Sequence, residues 1–166
     1  SYSSAASDVY KRQVLCMCCN KGFSRACCYW VGVELNKEDL KSILRNISSI
    51  ALIGASPKPE RDSYKVMKFL IEYGFKVFPV NPNYANNKIL GEKCYSNLKE
   101  IDQKVDMVDI FRGKEFVFDI TKDALKAGVK VIWTQEGIVD KKSACLAKNE
   151  GVNFVMNECP KKVLEN

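Results

Sequence analysis

The chain has 166 residues, of which 46% are hydrophobic and 28% charged, which is one domain by length with enough apolar material for a core. The formal net charge of +6 is spread evenly, with seven basic and four acidic side chains in residues 1–48 and nineteen and sixteen in the rest, so no dense basic stripe marks a nucleic-acid module. Histidine is absent, which excludes His-based acid–base catalysis, Ser–His and Cys–His nucleophiles, His metal ligands and phosphohistidine chemistry.

Residues 1–13 show no periodicity, begin without Met and read as a translated adapter. Residues 14–33 are basic and acid-free and hold Cys16, Cys18, Cys19, Cys27 and Cys28, with an apolar run at 26–31 too short to span a membrane. Residues 1–35 are expected to be a disordered or non-native extension or the remnant of a targeting peptide; an acylated anchor at Cys18-Cys19 is a third reading. Adjacent cysteines rarely ligate one metal together, and no metal site is expected. With no secretory signal evident and no disulfide frame, the expected compartment is reducing and cytoplasmic.

Regular structure is expected over 36–166. Asn36 is a good N-cap, with Glu38 and Asp39 in the first turn and Leu40, Ile43 and Leu44 on one face. A strand over 50–53 stops at Gly54. A helix over 63–73 follows, with Tyr64, Met67, Leu70 and Ile71 inward and Gly74 at its C′ position. The second strand spans 75–80. Residues 89–95 suggest a short edge strand, and 97–101 a single helical turn. The nearly all-apolar 105–111 reads as a central strand. A helix over 114–126 turns Phe116, Val117, Ile120, Ala124 and Ala127 inward. A strand over 129–134, a helix capped by Asp140 and a last strand over 153–156 complete the series. Alternating strand and helix predicts an α/β fold, a doubly wound, mostly parallel sheet with helices on both faces.

In such a sheet the ligand lies beyond the carboxyl ends of the strands. Those ends carry Gly54, Ala55 and Ser56 with Arg61 and Ser63 nearby, then Asn81 and Pro82, Phe111 and Arg112, Gln135 and Glu136, and Cys159. A strand feeding a glycine turn and a helix start favours an anion, with free N–H groups, hydroxyls and a guanidinium as donors. The three-glycine dinucleotide fingerprint is absent. Asn81 stands where an NAD-binding fold has an acid for the ribose hydroxyl. An amide there tolerates a phosphorylated ribose, as in coenzyme A or NADP, without choosing between them.

Six motifs in series carry a resemblance: Gly54-Ala55-Ser56-Pro57; Arg61 with Ser63; Val80-Asn81-Pro82; Asp109-Ile110-Phe111-Arg112; Trp133-Thr134-Gln135-Glu136-Gly137; and Val155-Met156-Asn157-Glu158-Cys159-Pro160. Over residues 40–162 the chain resembles the small stand-alone CoA-binding domain proteins, which are similar to the CoA-binding domain of the succinyl-CoA synthetase alpha subunit. The resemblance implies a Rossmann-like domain that binds coenzyme A or an acyl-CoA. The Gly54–Ser56 turn would cradle a phosphate and Arg61 and Ser63 would hold the phosphates. Val80, Asn81 and Pro82 would shape the ribose and adenine pocket, and Phe111 and Arg112 would line the path to the pantetheine, with Gln135 and Cys159 on the same rim. Asn157-Glu158 replaces the family's frequent Asp-Arg. The synthetase works through a phosphorylated histidine that these 166 residues lack, so binding without catalysis, in a regulatory role or beside an unidentified protein partner, is expected. Glu136 as a base and Cys159 as partner in a mixed disulfide with the CoA thiol are the remaining chemical candidates. A solvated carboxylate and a small buried hydrophobe are the plainer readings, and no catalytic residue is assigned. The alternatives are an NADP-dependent oxidoreductase and a structural partner protein without ligand.

Overall fold

The computed structural model describes residues 35–165. The expectation for residues 1–35 lies outside the described residues except at Leu35, which packs against the core.

The described chain opens with helix α1 (Lys37–Arg45), closed at its start by a reciprocal capping box between Asn36 and Asp39. Strand β1 (Ser49–Ile53) leads to helix α2 (Asp62–Tyr73), which stops at Gly74 in the left-handed region, and to strand β2 (Lys76–Val80). A 3-10 turn (Pro82–Tyr84) precedes strands β3 (Lys88–Ile89) and β4 (Glu92–Lys93). A second 3-10 turn (Leu98–Glu100), capped by Asn97, leads to strand β5 (Met107–Ile110) and helix α3 (Lys114–Lys126). Strand β6 (Val131–Thr134), helix α4 (Lys141–Asn149), strand β7 (Asn153–Val155) and helix α5 (Pro160–Glu165) follow.

The main sheet has the order β2-β1-β5-β6-β7, and every pairing in it is parallel. Helices α1, α2 and α5 cover one face through Leu44, Met67, Leu70 and Val163; α3 and α4 cover the other through Val117, Ala124 and Ala147. Burial on both faces is why β5 and β6 are buried at every residue. From β1 the chain turns through α2 to β2 on one side, and from β5 through α3 to β6 on the other. The order therefore reverses between β1 and β5, which is where doubly wound sheets open a crevice.

The carboxyl ends carry the loops of interest; the opposite edge is a lock. Asp106 accepts from the Ser48 N–H at 3.1 Å and the Ser48 hydroxyl at 3.0 Å, and pairs with Lys130 Nζ at 3.0 Å. Burial pushes the Asp106 pKa up, but the Ser48 and Lys130 donors outweigh that and hold it at about 2. The starts of β1, β5 and β6 are thus pinned together.

Several expectations are corrected. Residues 89–95 do not form one edge strand. Leu90 and Gly91 both have positive φ (51° and 84°), the backbone of a two-residue hairpin turn, so β3 and β4 form an antiparallel pair outside the main sheet. On α2, Val66 joins Met67 and Leu70 among the buried residues, while Tyr64 and Ile71 pack half-buried against the same core. On α3, Phe116 and Ala127 face solvent and Thr121 takes a core position, because the helix rotates its Val117–Ala124 stripe onto the sheet. The residues after Pro160 continue as α5, an element the sequence reading lacked. No described helix is long and apolar enough to cross a membrane.

Candidate functional site

Gly54 ends β1 with φ +91°. A Cβ at this position would lie 2.6 Å from the Phe111 carbonyl oxygen and 3.2 Å from Arg112 Cδ. Both the backbone angle and the close approach of the loop after β5 require glycine here. The same contact brings the Arg112 side chain beside the β1 turn, at the point where the sheet order reverses. Its guanidinium lies 4.4 Å from the centre of the Phe116 ring, and that ring is 43% exposed.

The turn itself is partly closed. The Gly54 and Ala55 N–H groups both donate to the Val80 carbonyl, at 2.8 and 3.3 Å. The ladder between β1 and β2 runs on through Val80 and takes these two amides of the turn expected to cradle a phosphate. The donors that remain in this region are the Ser56 N–H and the first-turn N–H groups of α2, where Arg61 supplies no side-chain cap. Ser56 Oγ accepts from the Lys58 N–H at 3.3 Å. Ser63 is buried, and its hydroxyl makes no hydrogen bond among the described residues. Arg61 is exposed and makes no ion pair there.

Asn81 is buried and engaged. Its Nδ2 donates to the Ala55 carbonyl at 2.7 Å and its Oδ1 accepts from the Asn83 N–H at 3.0 Å. It braces the turn after β1 against the end of β2, which makes it a positioning residue for the turn. Pro82 is exposed at the start of its 3-10 turn. Phe111 is half-buried, and its N–H extends the β1–β5 ladder to the Ile53 carbonyl at 2.8 Å.

The other half of the rim has a different character. Gln135, just past β6, donates from Nε2 to Asp109 Oδ1 at 2.5 Å. Asp109 is 0% exposed, and its Oδ2 has no hydrogen-bond partner among the described residues. Burial lifts its pKa to about 7, against the Gln135 amide and the Ile110 N–H, which favour the charge. Cys159 lies close enough to feel Asp109. Burial pushes the Cys159 thiol up and the Asp109 and Glu136 charges add to this, while the Lys162 and Lys161 amides oppose it. A thiol so held is a poor nucleophile at neutral pH. Glu136 is clasped by Lys162 Nζ at 2.6 and 2.9 Å. Asn157, at φ +59°, accepts from the Gly137 N–H at 2.7 Å and ties the turn after β6 to the one after β7; Asn tolerates that backbone better than most residues.

The structure therefore gathers the candidates into two groups. Gly54, Ala55, Val80, Asn81, Phe111 and Arg112 interlock where β1, β2 and β5 end. Gln135 and Cys159 gather around Asp109 where β5, β6 and β7 end. Ser56, Arg61 and Ser63 lie on the connection from β1 into α2. The sequence reading named Asp109 only within its motif and Phe116 only on a helix face, and gave neither a role in the site. The signal for Asp109 was an acid inside an otherwise apolar strand; Phe116 gave none beyond its helical spacing.

The sequence matches the CoA binding domain family over residues 48–165. The chain belongs to that family. Among CoA binding domain relatives, uncharacterized protein YneT of Bacillus subtilis is 34% identical over 126 residues, which cover 76% of this chain and 92% of that one. The alpha subunit of an ADP-forming acetate–CoA ligase I of Pyrococcus furiosus is 41% identical over 93 residues, 54% of this chain but 20% of the subunit. The chain thus spans about a fifth of that ligase subunit. A solved structure, a hypothetical protein from Pyrococcus horikoshii OT3, superposes with a TM-score of 0.75 at 39% identity, covering 80% of this chain and 92% of that one. The α/β Rossmann-like fold is shared with it.

Proposed function

We propose that this protein binds coenzyme A or an acyl-CoA across the carboxyl rim of its sheet, as a binding or regulatory unit and not as a catalyst. The observation that carries this reading is Arg112 lying against the Gly54 turn at the reversal of strand order. Arg112 Cδ reaches the turn that runs on through Ser56 to the start of α2, where Arg61 gives no side-chain cap; a guanidinium and free N–H groups are the donors a diphosphate takes. Arg112, beside the β1 turn, would face the anionic nucleotide, and the Gln135 and Cys159 end of the rim the uncharged pantetheine arm. Membership of the CoA binding domain family supports the ligand class. Thioester synthesis through a phosphohistidine has no acceptor within these 166 residues, which hold no histidine.

Calorimetric titration with coenzyme A, dephospho-CoA, NADP and NAD tests the reading. Coenzyme A is expected to bind, and dephospho-CoA to bind about tenfold more weakly, since a charge-assisted contact contributes about 1.5–3 kcal/mol. Tighter binding of NADP than of coenzyme A would transfer the site to a dinucleotide. No heat with any of the four would leave the rim without this ligand.

A further inference from the structure

Phe116 is a large apolar side chain that the core does not use. Helix α3 buries Val117, Thr121 and Ala124, and the neighbouring Phe116 ring is left 43% exposed, outside the packed clusters on either face of the sheet. What it does touch is Arg112, whose guanidinium carbon lies 4.4 Å from the ring centre. A guanidinium can be held in place by a carboxylate or by a ring, and the two leave it in different states. A carboxylate takes its N–H donors and cancels its charge. A ring engages only its flat face and leaves both the charge and the in-plane donors for another partner. Arg112 is held in the second way. Two acids lie within three residues of it, and both are engaged elsewhere. Asp109 is buried and bonded to Gln135. The Glu115 carboxylate folds over Gly113, with its oxygens 2.5 Å from where a Cβ on that glycine would sit. The Arg112 guanidinium makes no ion pair or hydrogen bond among the described residues. Its stem is fixed as well, since Cδ lies 3.2 Å from the position of a Cβ at Gly54. The side chain is thus held by the β1 turn at its stem and by an aromatic face at its head, with its donors unspent.

We propose that Phe116 is a positioning residue for anion binding. Its ring holds the Arg112 guanidinium beside the Gly54 turn, oriented and uncompensated, ready for a phosphate group. This rests on the coenzyme A reading and adds a residue that acts through Arg112. An exposed ring at this place costs the fold some apolar surface in water, and the oriented cation is what it supplies in return.

The test is a double-mutant cycle read by calorimetric titration of coenzyme A into wild type, Phe116→Leu, Arg112→Ala and the two substitutions combined, with Phe116→Tyr as the conservative variant. Phe116→Leu keeps the apolar bulk and the helix preference but removes the ring face. It is expected to bind about fivefold more weakly than wild type, the scale of an exposed cation–ring contact. Phe116→Tyr keeps the ring and is expected to bind within about twofold of wild type. In the Arg112→Ala background Phe116→Leu is expected to have no further effect, because no guanidinium is left to hold. A ring with a merely structural role, or one that touched the ligand itself, would weaken binding alike in both backgrounds. Equal binding by Phe116→Leu and wild type, a loss of the same size in the Arg112→Ala background, or a fivefold loss in Phe116→Tyr overturns the proposal and leaves the coenzyme A reading standing. If Phe116→Leu does not fold, Phe116→Met, which also lacks a ring, takes its place in the cycle with the same expected results. Failure of coenzyme A to bind wild type removes the coenzyme A reading and this proposal together.

Discussion

Two residues show how far single positions govern the rim. Gly54→Ala would force a side chain into a φ of +91° and against the Phe111 carbonyl at 2.6 Å. Chemical denaturation should show a loss of about 2 kcal/mol or more; a loss below about 0.5 kcal/mol would mean that the two loops are not in contact. Asp109 governs a pH dependence. Its folded pKa, about 7, lies above the ordinary aspartate value of 3.8, so the folded state holds a proton that the unfolded chain has released. Stability from this group is full below pH 3.8, declines as pH rises to about 7 and levels off beyond. Asp109→Asn removes that decline, and melting temperatures measured from pH 4 to 8 should fall less steeply in the variant than in wild type. Parallel curves would contradict the assignment.

At the scale of elements, the turn after β1 depends on the end of β2. The bond from Asn81 to the Ala55 carbonyl and the bonds from Gly54 and Ala55 to Val80 make one unit of two loops. Asn81→Asp removes the donor to Ala55 and sets a carboxylate against a carbonyl. A loss of about 2 kcal/mol is expected in urea unfolding, together with weaker coenzyme A binding; unchanged stability would show that the brace is unimportant. This brace also marks a limit of the sequence reading. Asn81 was legible as a residue at a strand end that is not the usual acid, but its partner Ala55 lies far back in the chain, and no local pattern discloses that bond. The same applies to Gly54, whose glycine signals a turn but not that the turn's amides are already held by Val80. Phe116 fell on the inward stripe by spacing, yet the helix rotates to bury Val117, and the freed ring receives Arg112 instead. Elements set by local chemistry were legible: Asn36 as a cap, Gly74 as a stop, and Asp140 bonded to the Lys142 N–H.

At the scale of the molecule, alternating strands and helices were enough to place the rim, because parallel crossovers of one hand leave few topologies. What the pattern could not supply was the division of the rim, with Arg112 beside the turn after β1 and the buried Asp109 carboxyl bonded to Gln135 between β5 and β6. That division arises only when Arg112 and Asp109, three residues apart, are sent to different places by the end of one strand. Under the coenzyme A proposal the phosphates lie over the reversal of strand order and the thiol end toward Gln135 and Cys159. The measurement that bears most directly on this account is calorimetric titration of coenzyme A into wild type and Arg112→Ala, with the melting temperature of each. Arg112 stacks on the exposed Phe116 ring and lies against the Gly54 turn, and the stacking contributes about 0.5–1 kcal/mol to stability. The account predicts saturable binding by wild type, about tenfold weaker binding by the variant and nearly equal melting temperatures. Equal affinities in the two proteins, or no binding by wild type, would contradict it.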